Sequence, residues 1–418
     1  MQPERPESAA NETRGLLGRW RATPLYIRIL GAVALGVAAG LALGPQAAAL
    51  AIPAKLVLRV LGALAPPLIM LAIVQALIHA PVGARQTPRL AGLLLLNTMV
   101  AIGLGLLVAN IVRPGDWAKV AAPPAIAKAA AAADPLTQFL DNVPKSILGP
   151  FGDDGKVMGV IFLALAFGVA LRGLKNYEIR TVEDLVHVGF SALVKILDWI
   201  IELVPLAVFG VVASIIGAKG FSDFIALGGF VVAVIVALIL QAIYYLIRVR
   251  IGSWVRPRDL LRGTRDALVM AFSTGSSTAT MPVTYACLRD NVKLREQSAS
   301  MGALVGSNFN NDGTALYEAM SALFVAQLLG MQLSLDQQFL VALTSVAASV
   351  GAAGIPEAGL VTMTLVFKAV GLPTEYIGML LTVDWLLDRC RTAINVMGDV
   401  NVSCLLDGKT PEHENDGA

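Results

Sequence analysis

Asp384, Asp388, Arg391, Asn395 and Asp399 follow one another at spacings of 4, 3, 4 and 4 residues. With ~3.6 residues per helical turn, that rhythm puts all five on one face. Arg389 and Thr392 lie in the same run, and the surrounding sequence is apolar. A charge at the centre of a bilayer costs at least ~2.5–3.5 kcal/mol. The stripe must therefore face a polar interior or bound ligands. Arginine recognises a carboxylate through two parallel hydrogen bonds. The three aspartates suit an ammonium group and hard cations. The plain alternative is an Asp–Arg network that only holds helices together. Ionisable groups inside an apolar span point first to function.

A second cluster precedes it: Asn308, Asn310, Asn311 and Asp312, followed by Gly313 and Thr314. Amide and carboxylate side chains beside a glycine disfavour a continuous helix. An unwound turn would free backbone carbonyls, which are oxygen ligands for Na⁺. Glu318 follows one turn after Thr314 on the same face. The alternative here is a polar helix–helix contact. Ser276, Ser277 and Thr278 offer hydroxyls and backbone groups, a pattern also common in loops. Glu357, beside Pro356, reads equally as a solvated loop carboxylate or as a functional acid.

These groups need helices in an apolar medium to position them, and the composition supplies one. Of 418 residues, 56% are apolar and 15% charged, with a mean hydropathy of +0.70. Soluble domains carry roughly 25% charged residues. A water-soluble enzyme, a disordered chain and a nucleic-acid binder are excluded. A net charge of +2 supplies no field for phosphate steering. Three cysteines without a CxxC support neither a disulfide framework nor a zinc site, and three scattered histidines argue against metal catalysis. No cofactor is expected.

Eight apolar segments, 29–50, 56–78, 90–112, 157–171, 190–217, 225–247, 301–329 and 376–406, read as membrane spans. A spanning helix needs about 20 apolar residues. The short 157–171 segment is expected to join pieces from 125 onward. Arginines follow the second, fourth and sixth spans, so the positive-inside rule places both termini in the cytoplasm. The basic, apolar N-terminus could be a signal peptide, but an uncleaved first helix is preferred. Segments 267–288 and 339–370 have arms too short to cross and centres rich in small residues. They read as two re-entrant hairpins or as two kinked spans. Broken helical elements in corresponding places point to a transporter binding site.

Four strings resemble the dicarboxylate/amino acid:cation symporter family, which includes excitatory amino acid transporters and archaeal aspartate transporter homologues. They are Ser276-Ser277-Thr278-Ala279-Thr280-Met281-Pro282, Asn310-Asn311-Asp312-Gly313-Thr314, Gly354-Ile355-Pro356-Glu357-Ala358-Gly359 and Asp388-Arg389-Cys390-Arg391-Thr392. Asn395 and Asp399 complete the last motif. The resemblance is most specific over 266–399 and covers the apolar chain more loosely.

The resemblance implies an all-α membrane protein: eight transmembrane helices, two re-entrant helical hairpins, inverted repeats, an elevator-type transporter and a homotrimer. Residues 1–23 would be a cytoplasmic tail, 24–85 and 116–217 the scaffold, 86–115 and 218–406 the transport domain, and 407–418 a second cytoplasmic tail. Asp388 would bind the substrate amino group, helped by Thr392. Arg391 would clamp the side-chain carboxylate near Thr314. Asn395 would hold the α-carboxylate with Ser277, at the tip formed by Ser276, Ser277 and Thr278. Ile355 and Gly359 would add backbone contacts from a gate. Gly306, Asn310, Asn395 and Asp399 would form one cation site, and Asp312 a deeper one. The family's usual Met before the motif Asp is Asn311 here. Its Tyr- and Thr-rich third-span stretch reads Leu93-Leu94-Leu95-Leu96-Asn97-Thr98, which leaves Thr98 and Asn97 as candidate ligands. Glu357 stands at a gate tip that is often Gly or Gln. Glu318 matches a position linked to proton coupling in eukaryotic members.

The reading is a multi-pass plasma (inner) membrane symporter of L-aspartate or L-glutamate, with Na⁺ and/or H⁺ as coupling ions. Arg391 selects an acidic substrate, and Asp388 selects an amino acid over a plain dicarboxylate. The thinned deeper site, with Glu318 and Glu357, leans toward a proton contribution; Asp312 and Asp399 lean toward sodium. An uncoupled carrier and a C4-dicarboxylate or neutral amino-acid carrier of the same family are the alternatives. An intramembrane enzyme is disfavoured, because neither GxGD nor HExxH occurs and no histidine accompanies the serine cluster.

Overall fold

The computed structural model describes residues 23–54, 87–117, 180–219, 222–352 and 358–410, with a few single positions between 57 and 164. Every regular element among them is helical. The predicted second and fourth spans, both tails and the tip residues Gly354, Ile355, Pro356 and Glu357 fall largely or wholly outside the described residues.

Helix α1 (Leu25–Leu43) begins after Pro24, which fixes its own φ and cannot donate. It ends at Gly44, whose φ of +54° is costly for other residues. A 3₁₀ turn over Gly44–Ala51 follows. Next come α2 (Thr87–Val112), α3 (Arg180–Ile201), α4 (Val204–Lys219) and α5 (Ser222–Gly252). By length and composition, Ile27–Ala54, Pro88–Trp117, Trp199–Gly217 and Ile225–Gly252 can cross a membrane. The predicted 190–217 span is interrupted. The helix breaks at Glu202 and Leu203, and α3 carries Glu183, Asp184, His187, Lys195 and Asp198 among its apolar residues. Within that segment the stretch long and apolar enough to cross is Trp199–Gly217, the end of α3 with most of α4.

Two short helices, α6 (Pro257–Gly263) and α7 (Arg265–Thr274), lead to a break at Gly275, where φ is +65°. Ser276 then caps α8 (Ser277–Ala286) by accepting from the Ala279 amide at 3.1 Å. α7 and α8 pack on each other and on the last helix. α9 (Glu296–Ser300) passes through a π turn at Met301–Val305 into α10 (Gly306–Phe309). The chain unwinds at Asn310 and Asn311 before α11 (Asp312–Leu328). A Ser334/Gln337 capping box starts α12 (Leu335–Gly351), which packs on α13 (Ala358–Ala369). α14 (Ile377–Asp407) closes the fold.

Packing falls into two groups. α1 and its 3₁₀ turn lie against α4, and small residues allow the approach: a Cβ at Gly36 would sit 2.8 Å from the Phe209 carbonyl, and one at Gly40 2.7 Å from that of Ala213. The second group gathers α2, α5, α7, α8 and α11–α14. Every residue of α11 is buried, including Asp312 and Glu318. By contrast Leu35, Leu41, Leu95, Ile111, Val232 and Ile239 stand exposed on α1, α2 and α5, as suits a hydrocarbon surround.

Candidate substrate and cation site

The break at Asn310–Asn311 delivers the start of α11 beside the middle of α14, and there the predicted polar residues meet. Arg391 is 1% exposed. Its Nη2 lies 2.8 Å from Asp388 Oδ1 and 3.0 Å from Asp384 Oδ1. The guanidinium carbon sits 4.0 Å from the centre of the Tyr317 ring, a cation–π contact. Nε and Nη1 of Arg391 have no hydrogen-bond partner among the described residues, nor has either oxygen of Asp384 or the Tyr317 hydroxyl. The Asp384 approach is thus close enough for an ion pair but is not aligned as a hydrogen bond. Two carboxylates face one guanidinium, so the cluster has room for a further positive group and has unused donors for a negative one.

Gly359 of α13 packs against this cluster: a Cβ there would lie 3.0 Å from Arg391 Nη1 and 3.3 Å from Thr314 Cγ2. Asn395 Oδ1 accepts from the Gly313 amide at 2.8 Å. Its amide nitrogen reaches Asn311 Oδ1 at 3.3 Å and Thr314 Oγ1 at 3.4 Å. Thr392 donates to the Asp388 carbonyl at 2.8 Å. Ser277 donates to the Ser307 carbonyl at 3.1 Å, which ties the start of α8 to α10. Thr278 lies on the first turn of α8.

One turn further along α14, Asp399 Oδ1 accepts from Asn310 Nδ2 at 3.1 Å, and the same nitrogen reaches the Asn395 carbonyl at 3.0 Å. Asn310 Oδ1 is buried with no partner among the described residues. Gly306 lies against Asp399, where a Cβ would come within 2.4 Å of Oδ1. Asp399, Asn310, Asn395 and Gly306 therefore form one cluster where the break between α10 and α11 meets α14. Asp312 faces α2 and α5 instead: Thr98 Oγ1 donates to Oδ1 at 2.6 Å, and the Tyr245 hydroxyl donates to Oδ2. Asn97 is buried nearby but turns elsewhere. It accepts from Arg248 and donates to Asn401 Oδ1 at 3.3 Å.

Glu318 is fully buried on α11. Oε1 accepts from Thr362 of α13, and Oε2 has no partner among the described residues. Sequence reasoning missed Tyr245, Tyr317, Thr362 and Asn401. Gln241 and Tyr245, one turn apart on the apolar α5, were the available signal for the first, since both are fully buried.

The family model described as the sodium:dicarboxylate symporter family matches residues 25–409. The chain is 37% identical over 272 residues to excitatory amino acid transporter 3 of Mus musculus, covering 63% of this chain and 51% of that one. It is 36% identical to excitatory amino acid transporter 1 of Bos taurus, over 63% of this chain and 48% of the relative. With excitatory amino acid transporter 2 of Homo sapiens the identity is 38%, over 60% and 44%. The chain thus spans about half the length of the curated relatives it matches.

Proposed function

The chain belongs to the sodium:dicarboxylate symporter family, a family of membrane transporters, and from that premise we propose that it is a cation-coupled symporter of L-aspartate or L-glutamate. The observation that carries this reading is Arg391, buried between Asp384 and Asp388 with Nε and Nη1 unused. A substrate side-chain carboxylate would take those donors. The substrate ammonium group would settle against Asp388 and balance the surplus negative charge. Asn395 would hold the α-carboxylate with Ser277, at the Ser276–Ser277–Thr278 tip, while Thr392 would assist Asp388 and Thr314 would lie beside the carboxylate held by Arg391.

Asp399, Asn310, Asn395 and Gly306 would hold one Na⁺, and Asp312 with Thr98 a second. Sodium is the ion in the family's name; Glu318 is the candidate for an added proton. The α7–α8 and α12–α13 pairs would be re-entrant hairpins, and the second would gate the site through Gly359 and the neighbouring Ile355. The packing of α1 on α4, apart from the group of α2, α5, α7, α8 and α11–α14, supports a scaffold that includes α1 and α4 and a separate moving unit; the assembly would be a homotrimer in the plasma membrane with both termini cytoplasmic. The test is uptake of labelled aspartate into proteoliposomes under separately imposed Na⁺ and pH gradients. Accumulation driven by either gradient supports symport. Saturable exchange without accumulation would make the protein an uncoupled carrier, and uptake of succinate in preference to aspartate would overturn the amino-acid assignment.

A further inference from the structure

The turn after α5 lines an open cavity of about 680 Å³, bordered by Arg250, Trp254, Arg256, Arg258, Asp259 and Arg262. Four arginines face one acidic side chain, and none of the four has an ion-pair or hydrogen-bond partner through its guanidinium among the described residues. Their neighbours differ. Arg265 pairs with Asp266 at 3.3 Å, Arg289 with Asp290 at 2.7 Å, and Arg295 lies 3.8 Å from Asp407. A solvated basic loop would explain positive charge near the membrane, but not its convergence, unpaired, on one concave space.

The cavity sits where an apolar surface ends. Ile243, Ile247 and Ile251 form a stripe one turn apart on α5, exposed by 46%, 52% and 67%. That stripe runs directly into Arg250 and Trp254, the level at which tryptophan and arginine mark the headgroup region. Trp254 is also fixed: its backbone amide donates to the Gly408 carbonyl at 3.1 Å and its Nε1 to Asp407 Oδ2 at 2.7 Å. One wall of the cavity is thus bolted to the end of α14.

We propose that this cavity binds the phosphate of an anionic lipid headgroup, whose acyl chains lie along the Ile243–Ile247–Ile251 stripe. Guanidinium forks match phosphate oxygens, and basic pockets beside spanning helices suit such headgroups. A free phosphate would use the arginines alone, whereas the hydrocarbon around the stripe brings lipid headgroups to this level. The site is separate from the residues of the substrate site, so binding is read without substrate.

The experiment uses the full chain in neutral detergent. Retention of phosphatidylglycerol is compared with that of phosphatidylcholine by native mass spectrometry, alongside thermal melting with each lipid or with inorganic phosphate. Phosphatidylglycerol should be retained at least about ten-fold better than phosphatidylcholine and should raise Tm. The combined Arg250→Gln, Arg258→Gln and Arg262→Gln variant should lose that preference, while Arg265→Gln with Arg289→Gln should keep it. Arg258→Gln alone removes an exposed, unpaired side chain and should weaken retention in part, which covers the case of a triple variant that does not fold. Equal loss in both combined variants would reduce the effect to bulk charge and overturn the site. Inorganic phosphate that raises Tm as much as the lipid and displaces it would make the ligand a soluble phosphate and overturn the lipid assignment. No preference for phosphatidylglycerol would overturn both.

Discussion

Helix α14 carries two polar clusters, one at its middle and one at its C-terminal end, built on opposite terms. At the end, Asp407 is 4% exposed and both carboxylate oxygens are taken, by Trp254 Nε1 at 2.7 Å and by the Arg295 amide at 3.0 Å. Arg295 also donates to the Asp407 carbonyl at 2.6 Å, and Arg89 to that of Leu405 at 2.8 Å. Two of the orphan carbonyls of the helix terminus are thereby satisfied. At the middle, Arg391 and Asp384 are equally buried, yet four of their polar atoms lack hydrogen bonds among the described residues. A buried polar atom left unpaired costs roughly 1–3 kcal/mol. A cluster that is complete without a ligand is structural. A cluster that tolerates such a cost has a use for a ligand, and this separates Arg391 from Arg295 although both face aspartates.

The largest expected effect breaks the middle cluster. Arg391→Ala leaves Asp384 and Asp388 facing each other without their cation. Loss of a buried charge partner costs roughly 3–5 kcal/mol. Aspartate binding measured by calorimetry should fall by more than about a hundred-fold, and neutral amino acids should begin to compete. Unchanged aspartate affinity would return the cluster to the structural class.

Asp388→Asn should come next. A hydrogen bond to a charged group contributes about 1.5–3 kcal/mol, so aspartate affinity should drop by roughly ten- to a hundred-fold. Succinate, which has no ammonium group, should be affected far less. Equal losses for the two ligands would mean that Asp388 serves only to orient Arg391.

At the other cluster the expectation is inverted. Asp407→Asn cannot accept at both oxygens, so it should cost about 1–3 kcal/mol of stability. It should lower Tm while leaving aspartate affinity within about two-fold, as expected for sites that share no partners. A loss of affinity without a loss of Tm would erase the distinction between the clusters.

Legibility in the sequence divides along similar lines. The stripe from Asp384 to Asp399 was readable because charge inside an apolar segment has few explanations, and all five residues are buried together on α14. The unwinding at Asn310 and Asn311 was readable because amides compete with the helix backbone. The partners of Tyr245 and Thr362 were not: Gln241 and Tyr245 mark a polar face on α5, but spacing does not say which carboxylate a buried hydroxyl will meet. Asn97 was read as a candidate cation ligand, but its side chain is engaged by Arg248 and Asn401. Partners that distant in the chain cannot be inferred from spacing. The break between α3 and α4 was missed because the summed hydropathy of 190–217 hides a single polar turn at Glu202.

Asp312 belongs between the two classes, since its oxygens already accept from Thr98 and Tyr245. If it also ligates sodium, those donors orient it. Tyr245→Phe removes one hydrogen bond, about 1 kcal/mol. The sodium concentration for half-maximal aspartate binding should rise by about five-fold. A sodium titration that matches the unsubstituted protein would leave Asp312 as a purely structural acceptor.

The smallest effect is expected at Glu318, which sharpens the comparison because it is half satisfied: Thr362 serves one oxygen and nothing among the described residues serves the other. A proton on that second oxygen would remove a buried charge without disturbing the Thr362 contact. Glu318→Gln mimics the protonated form in shape and keeps an oxygen for Thr362. Aspartate affinity and homoexchange between equilibrated compartments should therefore survive nearly unchanged. What should change is the response of net uptake to pH, which should flatten across the neutral range because the step that needs a proton to bind and leave no longer titrates. The measurement is initial uptake into proteoliposomes at fixed sodium, with internal and external pH varied separately. Steep, multi-sodium dependence that ignores both pH and Glu318→Gln would remove the proton from the cycle and return Glu318 to the same structural class as Asp407.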